Sequence, residues 1–354
     1  ISYRRDASSR FKKENQWGNF WSVGGAWLIS KENFFDVPWV NSLKVKASLG
    51  SQGNDKIGNY LFADSYDVVN NDNNASYQWR QKGAEDITWE TNTNMNFGTE
   101  FDLFGGRLSG SVDYFYRKTS DMLFSLNTPP SIGYTSYYVN LGDMRNAGIE
   151  LVLQANLVNK SNFKWDVNFN ITHVKNKVLS LPEAIKTTEV EGYKGYVNLD
   201  KSFVSKYKYF VAEGQSLFTW YLPKFAGLDE QTGESLYYKN TLDANGAITG
   251  QETTKDINQA TDYLIGDALA KFYGGFGTTV AYRGFDLSVN MNYQIGGKAY
   301  DYTYQTLMHT GGTTATNWHK DILNAWTPEN TNTDIPRLLY AETYSQNGRS
   351  DRYI

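Results

Sequence analysis

The chain has 354 residues, 40% of them hydrophobic and 16% aromatic, and no cysteine; it is long and apolar enough to bury a core, which excludes a disordered chain. Its 34 basic against 38 acidic residues give a formal charge of −4, leaving no basic footprint for nucleic acid, and the lack of cysteine removes disulfides, thiolate catalysis and cysteine metal sites. A mean hydropathy of −0.55, with no apolar run near the roughly 18 residues a membrane helix needs, excludes a helical membrane protein but not a β-barrel, whose wall alternates apolar and polar residues.

The chain opens at Ile1 with no Met, basic stretch or apolar stretch, so no signal peptide is read there, and a mature piece or a fragment is expected. Period-two alternation then predicts strands over residues 1–11, 20–30, 43–51, 88–103, 107–120, 148–158, 163–175, 272–282 and 285–294. The last shows it most cleanly: Phe285, Leu287, Val289, Met291 and Tyr293 share one face, and Asp286, Ser288, Asn290, Asn292 and Gln294 the other. Several segments reach the 9 to 11 or so residues that cross a bilayer as a tilted strand.

The connections alternate in length. Short ones fall at 31–42, 104–106, 159–162 and 283–284, and long ones at 52–87, 121–147, 176–271 and 295–354; only the first, 12–19, is short where a long one is due. Antiparallel strands would gather short turns at one rim and long loops at the other, as in outer-membrane barrels. The alternation requires an even number of wall strands within 176–271, and a pair drawn from 203–211, 217–226 and 236–239 is expected. NNDNN at 70–74 reads as a solvated loop tip, 318–326 as one short helix before Pro328, and Arg352–Ile354 as the start of another strand. Because spanning backbone must be fully paired, the chain reads as part of a barrel that further strands complete.

No residue set points to bond chemistry. The carboxylates lie opposite the aromatics, where a polar lumen accounts for them. His173 sits at a strand end, and His309 and His319 in a long loop, without a third ligand at metal spacing. The glycines at 274–277 lack the Lys and Ser/Thr of a phosphate loop, and Asp72 with Asn71, Asn73 and Asn74 lacks the oxygen ladder of a calcium loop. No catalytic residue, cofactor or metal is expected, and the protein is not expected to be an enzyme. Interface girdles account for most of Trp21, Trp27, Trp39, Trp89, Tyr114, Tyr116, Trp165 and Tyr282. The long-loop rings either pack the loops or offer flat faces to a sugar; Trp79, Trp220, Tyr221 and Trp318 are the candidate substrate-binding residues.

Several stretches resemble the SusC/RagA-like TonB-dependent transporters. They are LKVKASLGSQGNDKIGNY at 43–60, the long hairpin at 87–124, NLGDMRNAGIELVL at 140–153 with Asn146, Gly148 and Glu150 matching, FAGLDEQTGESLYY at 225–238, residues 272–301, and WTPENTNTDIP at 326–336. The resemblance implies an all-β, antiparallel transmembrane β-barrel segment with short periplasmic turns and long extracellular loops, part of a plugged barrel of roughly 22 strands. Residues 1–354 would belong to one barrel domain, the plug, TonB box and closing strands lying outside the chain. It further implies an outer-membrane location in contact with lipid, a SusD-like surface lipoprotein as partner, the TonB complex acting through the plug, and active import of a nutrient, an oligosaccharide or else a peptide. The alternatives are a passive porin and a soluble carbohydrate-binding β protein.

Overall fold

Alternating side chains fix which face each residue presents, and antiparallel pairing lines those faces up from strand to strand. In the computed structural model, which describes residues 1–71, 74–127, 131, 133, 134, 136–200, 207–244, 246–309, 317–339 and 348–354, this produces one nine-stranded sheet. Its strands are β1 (Ser2–Ala7), β2 (Trp17–Leu28), β3 (Val40–Asn54), β4 (Glu90–Leu103), β5 (Leu108–Ser120), β6 (Asp143–Lys160), β7 (Phe163–Ser180), β8 (Phe272–Tyr282) and β9 (Phe285–Ile295). Each lies beside the next in sequence, and every pairing is antiparallel. All nine predicted segments are present.

The register separates two faces. One row runs Leu43, Phe101, Gly110, Leu153, Phe169, Phe276, Met291 across seven strands. An adjacent row on the other face runs Asp102, Ser109, Gln154, Asn168, Gly277, Asn290. The apolar face is uncovered: Leu287 is 66% and Met291 53% exposed, and Trp27, Phe97, Val112, Ile149 and Trp165 are exposed with them. A soluble monomer rarely tolerates so broad an apolar surface.

The short turns are tight. Arg283 and Gly284 both hold positive φ, at 48° and 90°, as the two central residues of a type I′ hairpin turn do. Between β4 and β5, Phe104, Gly105 and Gly106 all have positive φ, and the Phe104 ring stacks on Trp39 at 5.6 Å.

β7 pairs directly with β8, from Phe163 with Tyr282 to His173 with Phe272. The pair of wall strands expected within 176–271 is therefore absent from the wall, and the alternation of loop lengths holds with none inserted. The first connection also takes its place at the long-loop rim. Ser8 Oγ donates to Asp55 at 2.7 Å, Lys12 pairs with Glu85 at 2.5 Å, and Trp89 Nε1 donates to the Gln16 carbonyl at 3.0 Å, so residues 8–16 lie against the loop between β3 and β4.

The chain divides into two compact units. The first, residues 1–186, 212–216 and 270–296, holds the nine strands. It also holds two hairpins inside loops, Ser65–Asn71 with Asn74–Gln81 and Leu123–Asn127 with Ser136–Asn140. The expected loop tip at 70–74 is thus the end of a hairpin, with Asp72 and Asn73 outside the described residues. The second unit, residues 187–211, 217–269 and 297–354, is built on small sheets. One contains Thr188–Val190, Tyr193–Asp200, Tyr207–Ala212, Thr219–Pro223 and Asp262–Asp267; another contains Phe225–Leu228, Ser235–Leu242 and Ile248–Thr254. A short helix α1 (Tyr302–Leu307) is capped by the Asp301 carboxylate. The helix expected in 318–326 is a single 3-10 turn, Lys320–Asn324, and Arg352–Ile354 does not start a strand: Asp351–Tyr353 forms another 3-10 turn, with Tyr353 buried.

Candidate functional site

The polar face of the sheet is organised in tiers of charge and amide. Near the short-turn rim, Lys44 Nζ lies 2.9 Å from one Glu100 oxygen and Lys46 Nζ 3.0 Å from the other. Lys46 also reaches Asp113, two strands away, at 2.9 Å. The strand between is crossed at Gly98, where a Cβ would collide with the Asp113 carboxylate and the Lys46 stem. Glycine there makes the long pairing possible. Glu150 stands opposite Asp113 in the register and is exposed.

Towards the long-loop rim amides predominate on this face. Arg117 Nε donates to Asn94 Oδ1 at 2.7 Å, and Asn176 Nδ2 donates to Asn146 Oδ1 at 2.8 Å. On β7 to β9, Asn168 and Asn290 flank Gly277 and Asn170 and Asn292 flank Gly275, the glycines leaving room for the amides to lean together. An open recess of about 640 Å³ is lined by Lys46, Ser48, Asn96, Asp113, Phe115 and Glu150 among others. Half-exposed ion pairs of this kind contribute little to stability. Their arrangement presents many hydrogen-bonding points, and each carboxylate in the Lys44–Lys46 network is met by an ammonium rather than by a proton-transfer partner.

Of the four candidate rings, Trp79 belongs to the first unit, and Trp220, Tyr221 and Trp318 to the second. Trp79 is half-buried, packed on Tyr66 at 4.4 Å and edge-on to Tyr134 at 6.1 Å. Trp220 is 5% exposed; it lies 4.6 Å from the Tyr209 ring and its Nε1 donates to the Lys298 carbonyl at 2.8 Å. The exposed ring that a stacking role requires is not there. Tyr221 lies 5.6 Å from Phe210, and burial, with Asp262 nearby, pushes its phenol up to about 12. Trp318 is 51% exposed, stacked on His309 at 5.2 Å with its Nε1 donating to the His309 carbonyl, so one face of the indole is supported and the ring is held in place.

Sequence reasoning missed a polar lock in the second unit. Asp229 accepts from the backbone N–H and hydroxyl of Thr232 at 2.8 and 2.9 Å. Lys255 lies 3.2 Å from Asp229 and 2.5 Å from Glu234, which Arg337 also approaches at 3.2 Å. The Thr232 hydrogen bonds and then Lys255 hold the Asp229 carboxyl down to about 2. Gly233 has φ of +67°, and the Trp326 ring occupies the space a Cβ would need. The signal available was the D-x-x-T-G turn at 229–233; its partners Lys255 and Arg337 are too distant in sequence to be read.

Residues 1–274 match the family model described as TonB dependent receptor-like, β-barrel. The chain belongs to that family. It is 30% identical to TonB-dependent receptor P3 of Formosa agariphila, over 96% of this chain and 34% of that protein. It is 34% identical to TonB-dependent receptor SusC of Bacteroides thetaiotaomicron over 51% of this chain and 19% of that one. Among solved structures, the RagAB peptide transporter superposes with a TM-score of 0.79 at 27% identity, covering 98% of this chain and 36% of that chain. The chain thus spans about a third of the length of P3 and of the RagAB chain.

Proposed function

We propose that residues 1–354 form part of the barrel domain of an outer-membrane, TonB-dependent importer. The apolar face meets lipid, the polar face lines the lumen, the short turns lie in the periplasm and the long loops outside. The observation that carries this is a two-faced sheet whose apolar face is uncovered and whose connections, the first apart, sort by length onto opposite rims; a soluble sheet would cover that face and has no reason to sort its loops. The longer protein would supply the plug through which the TonB complex acts, and a SusD-like lipoprotein would sit over the long loops. The work is transport, with no bond made or broken.

The cargo class we infer is an oligosaccharide, matched by a polar face rich in asparagine amides and self-neutralised charge. A peptide is the second reading, supported by the likeness to the RagAB peptide transporter. The test is uptake of labelled oligosaccharides and peptides by cells carrying the whole protein, with and without TonB. Loss of uptake without TonB is expected. Undiminished uptake would overturn active import in favour of a passive porin.

A further inference from the structure

Along β7 the residues of the apolar face read Phe169, Ile171, His173, then Lys175 and Lys177. β5 gives Val112, Tyr114, Tyr116, then Lys118, and β6 gives Leu151, Ile149, Ala147, then Arg145. Each column passes from aliphatic through aromatic, imidazole or small residues to a cation as it nears the long-loop rim. Pairing sets the cations side by side: Arg145 lies directly opposite Lys118 on one flank and Lys177 on the other, and Lys175 lies in the next row, opposite Ala147. Like charges directly opposite on one face of a sheet repel. Asp143, 2.7 Å away, neutralises Lys118. Arg145 lies over the Tyr116 ring at 6.0 Å, and among the described residues no carboxylate pairs with Arg145, Lys175 or Lys177.

We propose that Arg145, Lys175 and Lys177 bind the phosphate headgroup of an anionic lipid in the leaflet at the long-loop rim. A phosphate-bearing lipid satisfies both halves of the pattern: its acyl chains lie along Ile149, Ile171 and Tyr114, and its headgroup meets the cations where the apolar band ends. A soluble anion would use the charges and leave the apolar columns without a role. The inference rests on the membrane reading above and adds a specific site to it.

The test uses the whole protein reconstituted in phosphatidylcholine vesicles with and without phosphatidylglycerol, scoring the anionic lipid retained per protein after transfer to detergent. Wild type should enrich phosphatidylglycerol, and R145Q/K175Q/K177Q should lose that enrichment on the order of tenfold. K31Q/K160Q, at the opposite rim, should keep it. Enrichment unchanged in the triple variant overturns the site. Displacement of the lipid by inorganic phosphate alone reassigns it to a free-anion site and overturns the lipid. Should the triple variant misfold by its thermal melt, the wild-type enrichment decides: it must fall steeply with salt, and a salt-insensitive preference overturns the proposal. Failure of wild type to enter vesicles at all would instead sink the membrane reading itself.

Discussion

Trp220 and Trp318 are both loop indoles whose N–H is used on a backbone carbonyl, yet burial gives them different tasks. Trp220 fills a cluster with Leu222, Tyr209 and Tyr300, so Trp220→Ala should cost about 3–5 kcal/mol as a large-to-small core change and lower the amount of protein in the membrane. Trp318, propped on His309, keeps a free face; Trp318→Ala should leave abundance intact and weaken oligosaccharide binding by about 1–3 kcal/mol. Normal binding at normal abundance would remove Trp318 from the site. From the sequence the two were indistinguishable, because burial of a loop ring depends on partners scattered along the chain. At Asp229 the sign of the pH effect is fixed by a carboxyl held below its ordinary value: the stabilisation is present above about 4 and is lost as pH falls towards about 2. Protection of the Thr232 and Gly233 amides, taken relative to the intrinsic exchange rate at each pH, should therefore stay high at pH 5 and fall only on acidification into that window; loss of protection already at pH 5 would show that the lock does not hold this turn.

At the scale of a strand, β9 offers a depth gauge. Its apolar face carries Phe285, Leu287, Val289, Met291, Tyr293 and Ile295 in order from the short turn. Met291 shares a row with Phe276, Phe169 and Leu153, while Leu287 shares one with Val280 and Trp165, nearer the rim. Met291→Arg should cost about 2–4 kcal/mol and Leu287→Arg about 0–1, as charge at mid-depth costs more than at an interface. Equal penalties, measured by refolding into lipid, would contradict a bilayer around this face. The same alternation made the nine strands legible. It failed at strand ends: β6 begins at Asp143, five residues before the predicted start, because Asp143 and Arg145 point where apolar residues were sought. It also misassigned the pair in 176–271. Phe210, Val211 and Ala212 are consecutive and all fully buried, the mark of a strand covered on both faces, whereas wall strands alternate. Strand propensity was read correctly there, and sheet membership was not.

At the scale of the molecule, every long connection leaves from one rim and, apart from the short first connection, every short one from the other, so one experiment tests the whole path. These 354 residues contain no cysteine, so single cysteines placed among them report sidedness once any cysteine elsewhere in the whole protein is replaced. Tyr77, 75% exposed in the hairpin between β3 and β4, and Leu242, exposed in the connection between β7 and β8, mark the long-loop rim. Ser161, in the turn between β6 and β7 and exposed, marks the other. With long loops outside, Tyr77→Cys and Leu242→Cys should react with a membrane-impermeant maleimide on intact cells, and Ser161→Cys only after the outer membrane is opened. Ser161 is separated from Tyr77 by three wall crossings and from Leu242 by one, while Tyr77 and Leu242 are four apart, which ties their answers together: Tyr77 and Leu242 must agree, and Ser161 must oppose them. Labelling of Ser161→Cys alone in intact cells would invert the barrel, while labelling of Tyr77→Cys without Leu242→Cys would require an additional crossing after β7, which the direct pairing of β7 with β8 does not permit.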